Sequence, residues 1–215
     1  MVAAGQMLVV AGLDGAMRAG YDPGRNWVSQ LSLGPHGWVG VVNLATCGGW
    51  LVAYAIGLLI WLPPSRGARW AGRLVLVCAA GFLVIAAVPI DPGLGYPPGV
   101  PAVHTGVGYL HQAGAIALFA AGTLASALLG RCVGAARAGL VVAGVMTIAF
   151  LVACVLVALD VTGTVEGTPS GLFERVALFT GLGWIGFVGL RVLRRRARFA
   201  GCPGSSPVSS GRSSA

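Results

Sequence analysis

Lysine is absent from this chain of 215 residues, and there are only six acids and three histidines. With charged residues at 9% and apolar residues at 56%, too little polar surface exists to clothe a soluble domain of this length. The membrane class is what remains. All 14 basic residues are arginine, which with the Ala/Gly/Val richness fits a GC-rich gene and carries no mechanistic meaning. The five cysteines, Cys47, Cys78, Cys132, Cys154 and Cys202, have no Cys-x-x-Cys spacing. That argues against a disulfide framework and a zinc knuckle, and they read as small apolar core residues. The basic leader and cleavage site of a signal peptide are missing from the first apolar run. No internal repeat supports an inverted-repeat transporter, and no G-x-S-x-G element supports a nucleophile elbow.

What is present is long apolar runs, reflected in a mean hydropathy of +0.84. Residues 38–62, 74–90, 106–129, 138–159 and 172–193 each reach the roughly 20 residues needed to cross a bilayer. The first run, 1–13, is too short to cross before Asp14. Either helix one continues to about residue 19 with Asp14 turned into the bundle, or the true start lies upstream, which is the preferred explanation. Counting 1–19, the expected fold class is an all-α membrane protein. It is a six-transmembrane-helix bundle forming one domain over 1–198, followed by a Ser/Gly/Pro-rich disordered tail over 199–215.

The net charge of +8 and a pI near 10.1 would suggest nucleic acid if they formed a stripe on a soluble fold. Here the arginines sit in short loops and a tail, so the partners implied are membrane lipids and not nucleic acid. The loops after helices two and four, with the tail to Arg198, hold ten basic residues and no acid. The other three loops hold Arg18, Arg25 and Arg175 among all the acids. The positive-inside rule therefore predicts both termini in the cytoplasm of a bacterial plasma membrane. Trp38 marks the outer interface, and Trp61 and Trp70 mark the inner one.

Residues 21–36 are too polar to span and too apolar for a plain solvated loop. Trp27, Val28 and Leu31 can seat the piece while Ser29 and Ser32 share a face, which predicts a short interfacial helix between helices one and two. Pro92, Pro97, Pro98 and Pro101 keep the next outer loop out of helix and leave Asp91 at the mouth of helix three. Thr168 as N-cap and Pro169 at the first position predict the start of helix six. Glu174 then lies roughly 9 Å inside it. Small residues at helix-packing spacing, such as Gly122 with Ser126 and Gly139 with Ala143, predict close helix contacts. Asn43 and Gln112 read as bonds to a neighbouring helix, and Tyr54 and Tyr109 as ordinary helix residues unless they line an open notch.

Asp22-Pro23 followed by Asn26, Ser29 and Gly34, then Asp91-Pro92, His104 and His111, and finally Glu174-Arg175 form a pattern. It resembles the bacterial domain-of-unknown-function family 998 over the whole chain apart from the tail. The resemblance implies a six-helix integral membrane protein of a kind common in actinobacteria, with a longer first helix and no established activity. A weaker similarity links the chain to the eukaryotic Frag1/DRAM/Sfk1 group, from which no function is carried over.

His104 and His111 lie seven apart on one stripe of helix four, with Gly108 leaving an open notch between them. Their separation of about 10 Å along the axis is too large to share one zinc. A metal site from Asp91, His104 and His36 would need loops to converge. Ser32 to His36 resembles the Ser-x-x-x-His element of intramembrane hydrolases of the alkaline ceramidase type, but their second His-x-x-x-His pair is missing. The expected partner of His111 is Glu174, and that of Arg175 is Asp91 or Asp160; such pairs serve equally as polar staples or as a site.

The sequence thus predicts a non-enzymatic protein, without cofactor, that binds a lipid head group or small polar ligand in an outward polar pocket. Asp91, His104, His111, Glu174 and Arg175 supply it from the helices, with Asn26, Ser29 and Ser32 above. Arg175 would attract an anionic group, and the histidines would give pH-sensitive donors. The alternative is a membrane-embedded lipid hydrolase with His104 or His111 as base beside Asp91. A third is a proton-coupled carrier through Asp91, His111 and Glu174, disfavoured because no ionisable residue continues the path. No oligomeric state is implied.

Overall fold

The computed structural model describes residues 2–200, with only the backbone over 195–200. Met1 and residues 201–215, which include Cys202 and nearly all of the expected tail, lie outside the described residues.

In lipid each backbone N–H and C=O must find its partner within the chain, so apolar runs fold as helices. Six form: α1 Val2–Met17, α2 Gly37–Trp61, α3 Arg66–Ala87, α4 Gly106–Cys132, α5 Ala136–Val161 and α6 Ser170–Ala200, with a 3₁₀ helix at Val28–Ser32. No strand occurs among the described residues. α2 to α6 are long and apolar enough to cross a membrane. α1, at 16 residues, reaches only about 24 Å against a hydrocarbon core of about 30 Å. Five crossing-length helices and one short apolar helix therefore replace the six expected. α1 stops at Met17 because Arg18 turns back: its guanidinium grips both Asp14 oxygens at 2.9 Å, and the Tyr21 N–H donates to its carbonyl. Asp14 is indeed turned inward, its side chain 12% exposed.

α3 begins at Arg66, not at 74, because Ser65 caps it by accepting from the Ala68 N–H at 3.1 Å. The arginine-rich turn ahead of the apolar run is therefore helical. The helices pack in chain order from α1 to α6, α6 returns to α1, and α4 also touches α6. Polar staples reinforce this. Gln6 donates to Asn43 Oδ1 at 3.1 Å between α1 and α2, and the Trp184 indole donates to the Ser126 carbonyl at 3.1 Å between α6 and α4. The outer wall is apolar, with Val141, Ile148, Leu151 and Val155 of α5 all exposed. The loops 18–36, 88–105 and 162–169 meet at one end, termed here the acidic end; the arginine-bearing turns lie at the other.

Candidate functional site

The acidic end is built on the first turn of α6. A helix N-terminus leaves four N–H groups without intrahelical partners. Here the Gly171 N–H donates to the Arg25 carbonyl at 3.1 Å and the Leu172 N–H to the Gly24 carbonyl at 2.8 Å. The chain comes so close that a Cβ at Gly171 would overlap the Asn26 carbonyl. Thr168 does not cap α6 as predicted: its hydroxyl donates to the Leu156 carbonyl at 3.0 Å, and its N–H donates to Asp160 at 2.9 Å. The capping groups are carbonyls supplied by a distant segment, so no side chain at the start of α6 is required.

One turn further, Arg175 donates to the carbonyls of Pro23, Asn26 and Gly171 at 2.6–3.0 Å and to the Tyr21 hydroxyl. Burial pushes the Tyr21 phenol above its ordinary range, so it stays neutral and donates to the Trp27 carbonyl at 3.0 Å. Buried Glu174 accepts from the Val28 N–H at 3.0 Å. The pairings predicted for these two residues are not formed. Arg175 serves neither Asp91 nor Asp160, which instead holds Arg25 at 2.8 Å, and Glu174 does not meet His111. Backbone carbonyls can occupy the donors of a guanidinium fork, and the neighbouring Glu174 carboxylate, 3.9 Å away, balances its charge.

The 3₁₀ helix is correspondingly sunk into the bundle end. Val28, Ser29, Gln30 and Leu31 are all buried, so the expected interfacial helix is an internal plug. Asn26 donates to the Leu94 carbonyl at 3.1 Å and Gln30 to the Gly93 carbonyl at 2.7 Å, tying the plug to the proline-rich loop. Ser32 spends its hydroxyl on the Ser29 carbonyl at 2.7 Å. Ser29 and Glu174 line a cavity of about 20 Å³ whose other walls are apolar.

On the other side of the plug, Asp91 accepts from the Thr105 N–H at 2.6 Å and from its hydroxyl at 2.7 Å. Those two bonds, the backbone one first, hold the Asp91 carboxyl below its ordinary pKa. Thr105 in turn caps α4 by accepting from Gly108 at 3.0 Å. The notch predicted at Gly108 is not open, because the Asp91 carboxylate fills it and would collide with a Cβ there. His111 is buried with Nδ1 2.7 Å from the Val88 carbonyl. A carbonyl only accepts, so Nδ1 carries the proton and Nε2 is left as an acceptor, without a hydrogen-bond partner among the described residues. Glu174 is thus not its partner.

Between α4, α5, the plug and the 88–105 loop lies a cleft of about 220 Å³. Asp91, His104, Gln30 and Gln112 bring polar atoms to it, and Trp27, Val103, Tyr109, Cys154, Val157 and Val161 make most of the remaining wall. Of the eight residues predicted to bind ligand, only Asp91 and His104 line it. Asn26, Ser29, Glu174 and Arg175 are spent on or beneath the plug, Ser32 closes the plug on itself, and His111 lies buried on α4. Exposed His36 opens α2 and offers only its carbonyl, to Arg18 at 2.6 Å. Among the described residues no three of His, Cys, Asp and Glu assemble a metal site, so Asp91, His104 and His36 do not converge. No serine hydroxyl is hydrogen-bonded to a histidine among the described residues.

Sequence reasoning missed Trp27, Gln30 and Cys154 as cleft residues, read Gln112 as a bond to a neighbouring helix, and allowed Tyr109 a place only if it lined the notch. Gln112 follows Gly108 by four positions along α4, so the stripe that held His104 and His111 carried a signal for it, whereas Tyr109 lies off that stripe. Cys154 had none, since an apolar helix looks alike on every side.

The sequence matches the family described as "Protein of unknown function (DUF998)" over residues 1–191. No curated protein matches the chain, and no solved structure does.

Proposed function

Since the chain belongs to the DUF998 family, whose description assigns no activity, we propose from the site itself that this multi-pass membrane protein binds a membrane lipid by its head group. The acidic end faces away from the cytoplasm, an orientation supported by the arginines gathered at the opposite turns. In a bacterium the membrane concerned is the plasma membrane.

The observation that carries this reading is the two-sided character of the cleft. Asp91, His104, Gln30 and Gln112 reach it from the loops and α4, while Cys154, Val157 and Val161 of α5 form an apolar wall. Its rim is apolar as well: Tyr109 is 66% exposed, Val161 51% and Val103 43%. Such a cleft joins polar partners for a head group to a surface fit for acyl chains. A soluble polar ligand would gain nothing from that rim.

The test is lipid-dependent thermal stabilisation of the purified protein in detergent. Val157→Trp fills the cleft, whereas Val155→Trp adds the same bulk on the exposed face of α5. The lipid-induced rise in Tm is expected to vanish in the first and persist in the second. Equal responses in both would remove the cleft from the account.

A further inference from the structure

We infer, resting on the cleft as the lipid site, that the lipid taken there carries a free ammonium in its head group, as a phosphatidylethanolamine does. The argument begins with charge. Asp91 is the one acid among the cleft-lining residues, and no arginine is among them. The acidic end has three arginines, Arg18, Arg25 and Arg175, and none lines the cleft. Arg18 is held by Asp14 and by the carbonyls of Leu31 and Leu33. Arg25 is held by Asp160, and Arg175 by the carbonyls around the α6 start. A phosphate or carboxylate entering alone would meet Asp91 with no fixed cation to compensate it.

Asp91 remains a charge available to a ligand. A carboxylate has about four acceptor positions, of which Thr105 takes two. The partial positive charge at the start of α4, about half an elementary charge, offsets Asp91 only in part. Its lowered pKa keeps it ionised at neutral pH.

The walls favour a cation for a separate reason. Trp27 and Tyr109 both line the cleft that holds Asp91. Aromatic faces attract ammonium groups through the ring quadrupole, and of the two Trp27 is the one shielded from water. The phosphate of a zwitterionic head group would meet the exposed His104 and Gln112, which line the same cleft. An ionised carboxylate and two aromatic side chains in one cleft, with no arginine in the lining, match the ammonium of a zwitterion better than an anionic lipid.

The experiment compares phosphatidylethanolamine, its N-acetylated form and phosphatidylglycerol, all with the same acyl chains. Each is titrated into the full-length protein in detergent and read by native mass spectrometry. N-acetylation removes the charge and leaves the rest of the lipid in place. The expected result is about tenfold weaker binding of the acetylated lipid and of phosphatidylglycerol. Asp91→Asn and Tyr109→Leu are expected to narrow that gap, the second without touching any hydrogen bond of the loop. If the three lipids bind alike, or phosphatidylglycerol binds best, the ammonium inference is wrong. Val157→Trp then decides the wider reading: loss of all three lipids keeps the cleft as the site, and unchanged binding removes both.

Discussion

The carboxylate of Asp91 occupies the space that a side chain at Gly108 would need. That relationship locks the proline-rich loop to the first turn of α4, with Thr105 bonded to both. It sets the depth of the cleft as well, since Asp91 and Gly108 both line it.

Gly108→Ala should therefore push Asp91 away from Thr105. Overpacking of this kind costs roughly 1–3 kcal/mol. A lower Tm in detergent, with weakened lipid binding, is the expected outcome. An unchanged Tm would mean that the loop relaxes freely and that the contact does not hold it.

Arg175→Lys keeps the charge and loses the fork. An ammonium cannot reproduce a planar guanidinium spread over three carbonyls and a phenol, so at least one buried carbonyl is left unpaired at about 1–3 kcal/mol. Hydrogen exchange should accelerate over residues 21–30 while the middle of α6 stays protected. Uniform exchange rates would show that the fork is dispensable.

Glu174→Gln retains an acceptor for the Val28 N–H, whereas Glu174→Leu strands that donor inside the bundle. The leucine variant should lose roughly 1–3 kcal/mol more than the glutamine variant. Comparing their Tm values tests it, and equal values would show that Glu174 does not anchor the plug.

Asp91 gives the 88–105 loop a pH dependence. Its pKa lies below the ordinary value of 3.8 in the folded state. Its contribution is complete above the unfolded value and fades as pH falls through the folded one. Loop exchange over 88–105 should rise only under those acid conditions, and Asp91→Asn should flatten the response. A loop that loosens between pH 6 and 8 would point to another group.

The crossing helices were legible because hydrophobic length is written directly in the residues, and Asp91 and His104 were legible because Asp-Pro and a loop-to-helix transition are local. Arg175 and Glu174 were recognised as important but given the wrong partners. Charge invites pairing with distant charge, while most of their partners are backbone groups of residues 23–28, which leave no side-chain signature, together with the Gly171 carbonyl, the Tyr21 hydroxyl and each other. The 3₁₀ plug was misjudged for a related reason. Residues 28–31 read as interfacial until Gly93 and Glu174 are placed around them, and only tertiary structure brings those two there. α1 ends two residues before the expected bound, because Arg18 folds back onto Asp14.

The capping of α6 by the carbonyls of Gly24 and Arg25 also constrains the order of assembly. Its surrounding bonds join residues 145 to 154 positions apart, a separation that makes them late events in folding. During synthesis the plug must wait for the sixth helix to leave the ribosome, its buried N–H and C=O groups meanwhile unpaired. A chain halted before residue 170 would present that unfinished end to membrane proteases. Completion of the last helix is in this sense the checkpoint at which the first loop becomes protected, and pulse-chase proteolysis of staged truncations should show protection of residues 21–30 arising only with α6.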